Sequence, residues 1–363
     1  MKKGETLDDA PRRTSRPARR KKAHVKVCLE EDVRHRRLTA GFERLRLPYA
    51  GLPELDLADV DLSCGMLGKR LSMPFMILGM TGGAGLSGTI NRNLATAAQE
   101  CGVALGLGSM RIALEDPGAA ESFRVRCLCP DVPLWANLGA VQLNNGCGVE
   151  ECRRLVELAD ADGLCLHVNA LQEVAQVGGD TNWGGLAEKI GALAEALPVP
   201  VMVKEVGFGM NQRMAKALAE LPIWGIDVSG AGGTSWLRVE QLVWDREDLD
   251  GFEEFGTPTA RSIREVRDAC PDRFIVGSGG VRSGLDAVKA IALGSDVAGA
   301  ALPFLAPAVD SAAAVVRRLE TLRHGMRVAA FAAGAGDKAA IRNLELDPLD
   351  GRLVPAEQEA DKG

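Results

Sequence analysis

The chain has 363 residues, 46 % hydrophobic and 25 % charged, with a formal net charge of −6. That composition can bury a large core. The acidic balance argues against nucleic-acid binding, and no apolar run reaches the ~18–20 residues that span a bilayer or forms a signal-peptide core.

Residues 1–19 are basic and lack large apolar side chains, so they read as a disordered tail. Residues 20–72 form an arm and lead-in segment. From residue 73 a rhythm sets in: a short apolar run ends in glycine and small polar residues, and a helical stretch follows. The runs are 73–83, 103–111, 133–142, 162–173, 200–209, 224–236, 273–284 and 295–304. Between them, "NRNLATAAQECG" and "GGLAEKIGALAEALP" carry helical apolar spacing and stop at Gly or Pro. Near-continuous apolar strands imply burial on both faces. Eight such units over residues 73–343 predict a (β/α)8 TIM barrel of the α/β class, with a C-terminal tail over 344–363. A doubly wound open sheet is the other architecture considered; eight units without a central break speak against it.

In such a barrel the loops after the strands share one face, where active sites sit. The glycine-rich "GSGGVRSG" (277–284) and "AGAALPF" (298–304) follow strands seven and eight, the usual place for a phosphate grip. Arg282 supplies a charge there. Lys204 ends strand five and has three plausible roles: a Schiff base, a carboxylate's partner, or a cation beside an electron-rich ring. "LQE" (171–173) on its own reads as a loop-to-helix junction. Nine cysteines fall in no CxxC pair and match no zinc or cluster spacing, so they read as reduced thiols in a cytoplasm.

"RKKAH", "MTGG", "GSMR", "NLGAVQ", "LHVNALQE", "VKEVGFG", "DVSGAGGTSW" and "GSGGVRSG" occur in that order. Together they resemble type 2 isopentenyl diphosphate isomerase, an FMN-dependent TIM barrel, from about residue 20 to 343. The resemblance implies a 1,3-proton shift that interconverts isopentenyl and dimethylallyl diphosphate, using reduced FMN, Mg²⁺ and NADPH as the flavin's reductant. It implies a flavin held by Met80, Thr81, Gly82, Ser109, Asn137 and Lys204. Ser229 and Thr234 would hold its ribityl and phosphate side. Gly279, Gly280, Arg282, Ala301 and Leu302 would complete the phosphate cup, and the glycines of "GAGG" would let that loop crowd the flavin. The substrate would meet Arg20, Lys21, His24, Ser109, Arg111, His167, Asn169, Ser235 and Trp236. Gln172 would be catalytic and Glu173 the magnesium ligand. The arm would be ordered by substrate, and the assembly would be a homo-oligomer, tetrameric or larger. No nucleic-acid or membrane partner is expected.

The chain departs from the family pattern at Ala23, Met110, Ala170, Val177 and Phe255. Met110 matters most, since a thioether replaces an amide that could bond a phosphate oxygen. Two other functions compete with this reading. An FMN-dependent 2-hydroxy acid oxidase needs an imidazole base near the end of strand six, where this chain has none. A prenyl-phosphate-binding homologue with altered substrate or lost activity sits poorly with the presence of Gln172, Glu173, Lys204 and Arg111.

Overall fold

The computed structural model describes residues 16–83 and 85–349. Eight parallel strands close into a barrel: β1 (Phe75–Ile77), β2 (Ala104–Gly106), β3 (Leu134–Gly139), β4 (Gly163–His167), β5 (Val201–Lys204), β6 (Gly225–Asp227), β7 (Phe274–Ser278) and β8 (Val297–Ala300). Each neighbours its successor and β8 pairs with β1, so the sheet is closed and the open-sheet alternative is excluded.

Side chains alternate across each strand. Leu134, Ala136 and Leu138 of β3 face the outer core beneath the helices, whereas Trp135 packs inside the barrel with Met76, Cys165, Met202 and Val276. The hairpin Cys64–Met66/Lys69–Leu71 brings Met66 and Leu71 into that inner cluster, which plugs the N-terminal end. The outer ring includes Leu86–Cys101, Val149–Ala159, Leu186–Ala196, Gln212–Ala219, Thr259–Ala269, Gly284–Ala292 and Ala312–Ala332.

Two details differ from the sequence reading. Residues 16–19, expected in the tail, open a helix spanning Arg16–Glu30; residues 1–15 lie outside the described residues. The helix packs on the helix Trp236–Trp244, so it forms where a partner surface buries Val25 and shields Cys28, whose thiol burial pushes up to about 12. Within the expected C-terminal tail, Asp347–Pro348 pairs antiparallel with Leu45–Arg46; residues 350–363 are not described.

Candidate functional site

Strand register assembles the site. Gly139, His167, Lys204 and Asp227 are successive partners across β3–β6, so three ionisable side chains stand in one row at the C-terminal rim. His167 Nδ1 lies 2.8 Å from Asn137 Oδ1. Burial, with Lys204 and Lys21 nearby, pushes His167 down to about 3, so the imidazole is neutral at ordinary pH. Lys204 Nζ donates to Glu205 O at 2.6 Å and Ser229 Oγ at 3.1 Å, and stands 3.5 Å from Asp227 Oδ2. Of the three roles open to Lys204, this geometry is that of a carboxylate's partner. Asp227 has no exposed surface, and its other oxygen accepts from Ser278 and the Ser229 amide. Ser229 carries φ 35°, a left-handed backbone rare outside glycine and common where a loop is held for function.

A second group lies beside that row. Gln172 Nε2 donates to Glu240 Oε1 at 3.0 Å, and Asn169 Nδ2 donates to Gln172 Oε1 at 3.1 Å and Glu173 Oε1 at 2.9 Å. His24 Nε2 approaches Glu240 Oε1 to 3.1 Å, off the line of a straight hydrogen bond, with its ring edge-on to Trp236 at 5.4 Å. Trp244 Nε1 donates to Glu240 Oε2 at 2.9 Å. Burial opposes ionisation of Glu240, but the close His24 imidazole and the hydrogen bonds from Gln172 and Trp244 outweigh it and hold its carboxyl below the usual range. Lys21 Nζ donates to Ser109 O at 2.8 Å, so the arm helix touches both the β2 loop and the helix after β6. Arg20's side chain is outside the description.

The phosphate-cup residues sit as the rhythm predicts, in the loops after β7 and β8. The amides of Gly279, Gly280 and Ala301 donate to no group among the described residues. Arg282 is half-buried; burial, then the like charges of Arg34 and Arg318, push its guanidinium below its ordinary range. Unsatisfied amides beside crowded cations fit a phosphate. The helix Gly284–Ala292 is closed by a capping box of Ser283 and Asp286, so the free donors are those of the loop. Met80, Thr81 and Gly82 follow β1, with Thr81 Oγ1 3.0 Å from Ser87 Oγ; Leu302 follows β8. These groups fit an FMN at the mouth.

For magnesium, no cage of three or more His, Cys, Asp or Glu gathers among the described residues. Glu173 is a lone carboxylate, and Asn169 Oδ1 beside it is buried without a partner. One carboxylate plus a neighbouring oxygen suits an ion that keeps waters and takes its remaining ligands from substrate phosphates.

Three positions make contacts that the sequence did not show. Ser235, expected to face the substrate, caps its helix by accepting from the Arg238 amide at 3.3 Å. Met110 has no exposed surface and packs in the outer core, so no phosphate contact is available to it. The "GAGG" glycines admit other backbone: a Cβ on Gly232 would lie 1.9 Å from Ala40 N, and one on Gly233 2.4 Å from Gly280 N. The loop is thereby pressed against the β7 loop and the arm, where Ser235 N donates to Val33 O, His35 N to Gly233 O, and Thr234 bridges Arg34.

The FMN-dependent dehydrogenase family profile matches residues 151–347. An isopentenyl-diphosphate delta-isomerase of Nostoc sp. strain PCC 7120 is 46 % identical over 91 % of this chain and 93 % of its own length. Its counterpart in Xanthobacter autotrophicus is 45 % identical over 92 % and 98 %. The chain belongs to the isopentenyl-diphosphate delta-isomerase family. Mandelate oxidase with (S)-2-phenylpropionate shares the fold, at TM-score 0.65 and 20 % identity over 91 % of this chain and 98 % of that one.

Within this isomerase family member, sequence reasoning missed Asp227, Glu240, Glu205 and Asp180. Glu205 Oε2 accepts the amides of residues 206–209 at 2.5 to 3.0 Å, which folds the loop after β5. Its signal was available, since an acid buried next to Lys204 in a glycine-rich turn has no solvent to face.

Proposed function

We propose that this protein interconverts isopentenyl diphosphate and dimethylallyl diphosphate by a 1,3-proton shift, with FMN as its cofactor. The observation that carries the reading is the Gln172 amide, buried and fixed between Glu240 and Asn169 at the barrel mouth. A fixed, uncharged amide orients a proton at an alkene without placing a full charge against a cationic transition state. When bound, reduced flavin supplies electron-rich chemistry that the side chains lack. Asn137, Lys204, Ser229, Arg282 and the amides of Gly279 and Gly280 would hold it, with Thr81 and Gly82 beside the ring. His167, Asn169, Arg111, Lys21 and His24 are the polar groups for the diphosphate. Glu173 would carry Mg²⁺ between protein and phosphates, and NADPH is the proposed reductant. The reading extends to a homo-oligomer in the cytoplasm; the nine cysteines are all unpaired, as a reducing compartment keeps them.

The shared fold of mandelate oxidase does not carry its chemistry here: the β6 end bears Asp227 and Ser229 rather than an imidazole. The test is anaerobic incubation of FMN-loaded protein with isopentenyl diphosphate, NADPH and Mg²⁺. Dimethylallyl diphosphate, with one solvent deuterium per turnover in D₂O, supports the reading. No product, with oxidation of a 2-hydroxy acid instead, overturns it.

A further inference from the structure

Asp180 lies in the turn after the helix Ala170–Ala175 and ties together three groups that follow different strands. Its Oδ2 accepts from Arg111 Nη1, after β2, at 2.8 Å, and from Gln142 Nε2, after β3, at 2.8 Å. Its amide donates to Glu173 Oε2, after β4, at 2.8 Å. The turn is held on that carboxylate. Gln176 Nε2 donates to the same Glu173 oxygen at 3.2 Å, and Trp183 Nε1 donates to Asp180 O at 2.9 Å. A Cβ on Gly179 would meet Glu173 O at 1.9 Å, so glycine alone lets the turn lie this close. Apart from Asp180, the partner of Arg111 among the described residues is Glu115, at 3.2 Å on its own short helix and exposed, where such pairs hold weakly.

We infer that Asp180 is a positioning residue that fixes Arg111 and Glu173 as one preset unit for a metal-bound diphosphate. The inference rests on the proposed function for its ligand and goes beyond it in assigning Asp180. Long side chains such as arginine lose rotamer freedom when they bind, and a partner that has already ordered them removes that cost from the binding step. The charges explain why the metal is needed. Arg111 pairs with Glu115 and Asp180, and the Asp180 amide holds Glu173, so the unit is anionic as a whole and a bare diphosphate is repelled. A divalent cation on Glu173 reverses that balance and lets the fixed guanidinium act on the phosphate oxygens.

The experiment titrates inorganic pyrophosphate into FMN-loaded, full-length protein by calorimetry, with and without Mg²⁺, for wild type, Asp180→Ala and Asp180→Asn. The asparagine variant keeps the side-chain shape and one acceptor, and guards against a folding failure of the alanine variant. Loss of a charge-assisted, pre-ordered contact raises the Mg²⁺-dependent dissociation constant about tenfold or more in Asp180→Ala and less in Asp180→Asn. FMN affinity and melting midpoint stay at wild-type values. In an Arg111→Ala background the Asp180 effect shrinks to under about threefold, because the two act as one unit. With isopentenyl diphosphate, KM rises while kcat holds. Unchanged pyrophosphate affinity in Asp180→Ala overturns the inference while turnover by wild type leaves the proposed function standing. Parallel losses of FMN affinity and melting midpoint make Asp180 merely structural and also overturn it. A wild type that neither binds magnesium pyrophosphate nor isomerises the substrate overturns both readings.

Discussion

Gln172 Nε2 meets Glu240 Oε1 at 3.0 Å, joining the loop after β4 to the helix after β6. The carboxylate takes the amide's nitrogen and Asn169 Nδ2 donates to its oxygen, which fixes the amide's orientation. Gln172→Ala is expected to lower kcat by about a hundredfold or more, the range for a lost proton-transfer group, and to change KM much less. Steady-state kinetics under anaerobic conditions check this; a KM effect alone would move Gln172 from the chemistry to binding.

Arg282 lies near Arg34 and Arg318, and like charge is relieved when it is removed. Arg282→Ala is expected to weaken FMN binding by about ten- to a hundredfold, since charge-assisted phosphate contacts are among the strong ones. The apoprotein should melt at the same temperature or higher. Flavin fluorescence titration and melting curves of both forms give the two numbers. Equal FMN affinity moves the phosphate site elsewhere.

Met110 is fully enclosed by apolar neighbours. Met110→Gln buries an amide with no place for its bonds and should cost about 1–3 kcal/mol. The melting midpoint falls and KM for the diphosphate stays put. A lowered KM with unchanged stability would return Met110 to the site.

Glu173 Oε1 accepts from Asn169 Nδ2 at 2.9 Å. Glu173→Gln should raise the Mg²⁺ needed for half-maximal turnover by about tenfold or more, because a neutral amide is a poor ligand for a hard cation. FMN affinity should hold. Joint loss of both would mark a folding role.

His167 has a folded-state value near 3, well below its ordinary 6.5. Its contribution to stability is therefore present above about pH 6.5 and is lost as pH falls toward 3, since the unfolded chain takes up the proton first. Melting curves of wild type and His167→Asn between pH 7 and 4 should converge as pH drops. Parallel curves would show an imidazole that titrates freely.

The barrel was legible because its strands are buried on both faces and end in glycine and polar residues, a local signal repeated eight times. Lys204 stood out for the same reason, whereas Gln172 was implied only by the family resemblance, since "LQE" on its own reads as a loop-to-helix junction. Asp227 did not: it lies within a quoted run, but its role exists only once β5 and β6 align Lys204 beside it. Glu240 is a single acid on an amphipathic helix, and only the arm and the β4 loop enclose it. Residues 16–19 read as tail because their charge is local information, whereas the helix after β6 on which their helix packs lies more than two hundred residues away. Met110 misled in the opposite sense: its position beside Arg111 said nothing of which way it points.

The contact of Gly233 with Gly280, and of Gly232 with Ala40, leaves three chain segments with no room for one another's side chains. Their evolutionary histories are therefore bound together. A loop transplanted from another flavin barrel into the position after β6 meets a foreign backbone after β7 and in the arm, and even an alanine there is too large. Recombination between such enzymes should succeed only when the three segments travel as a set.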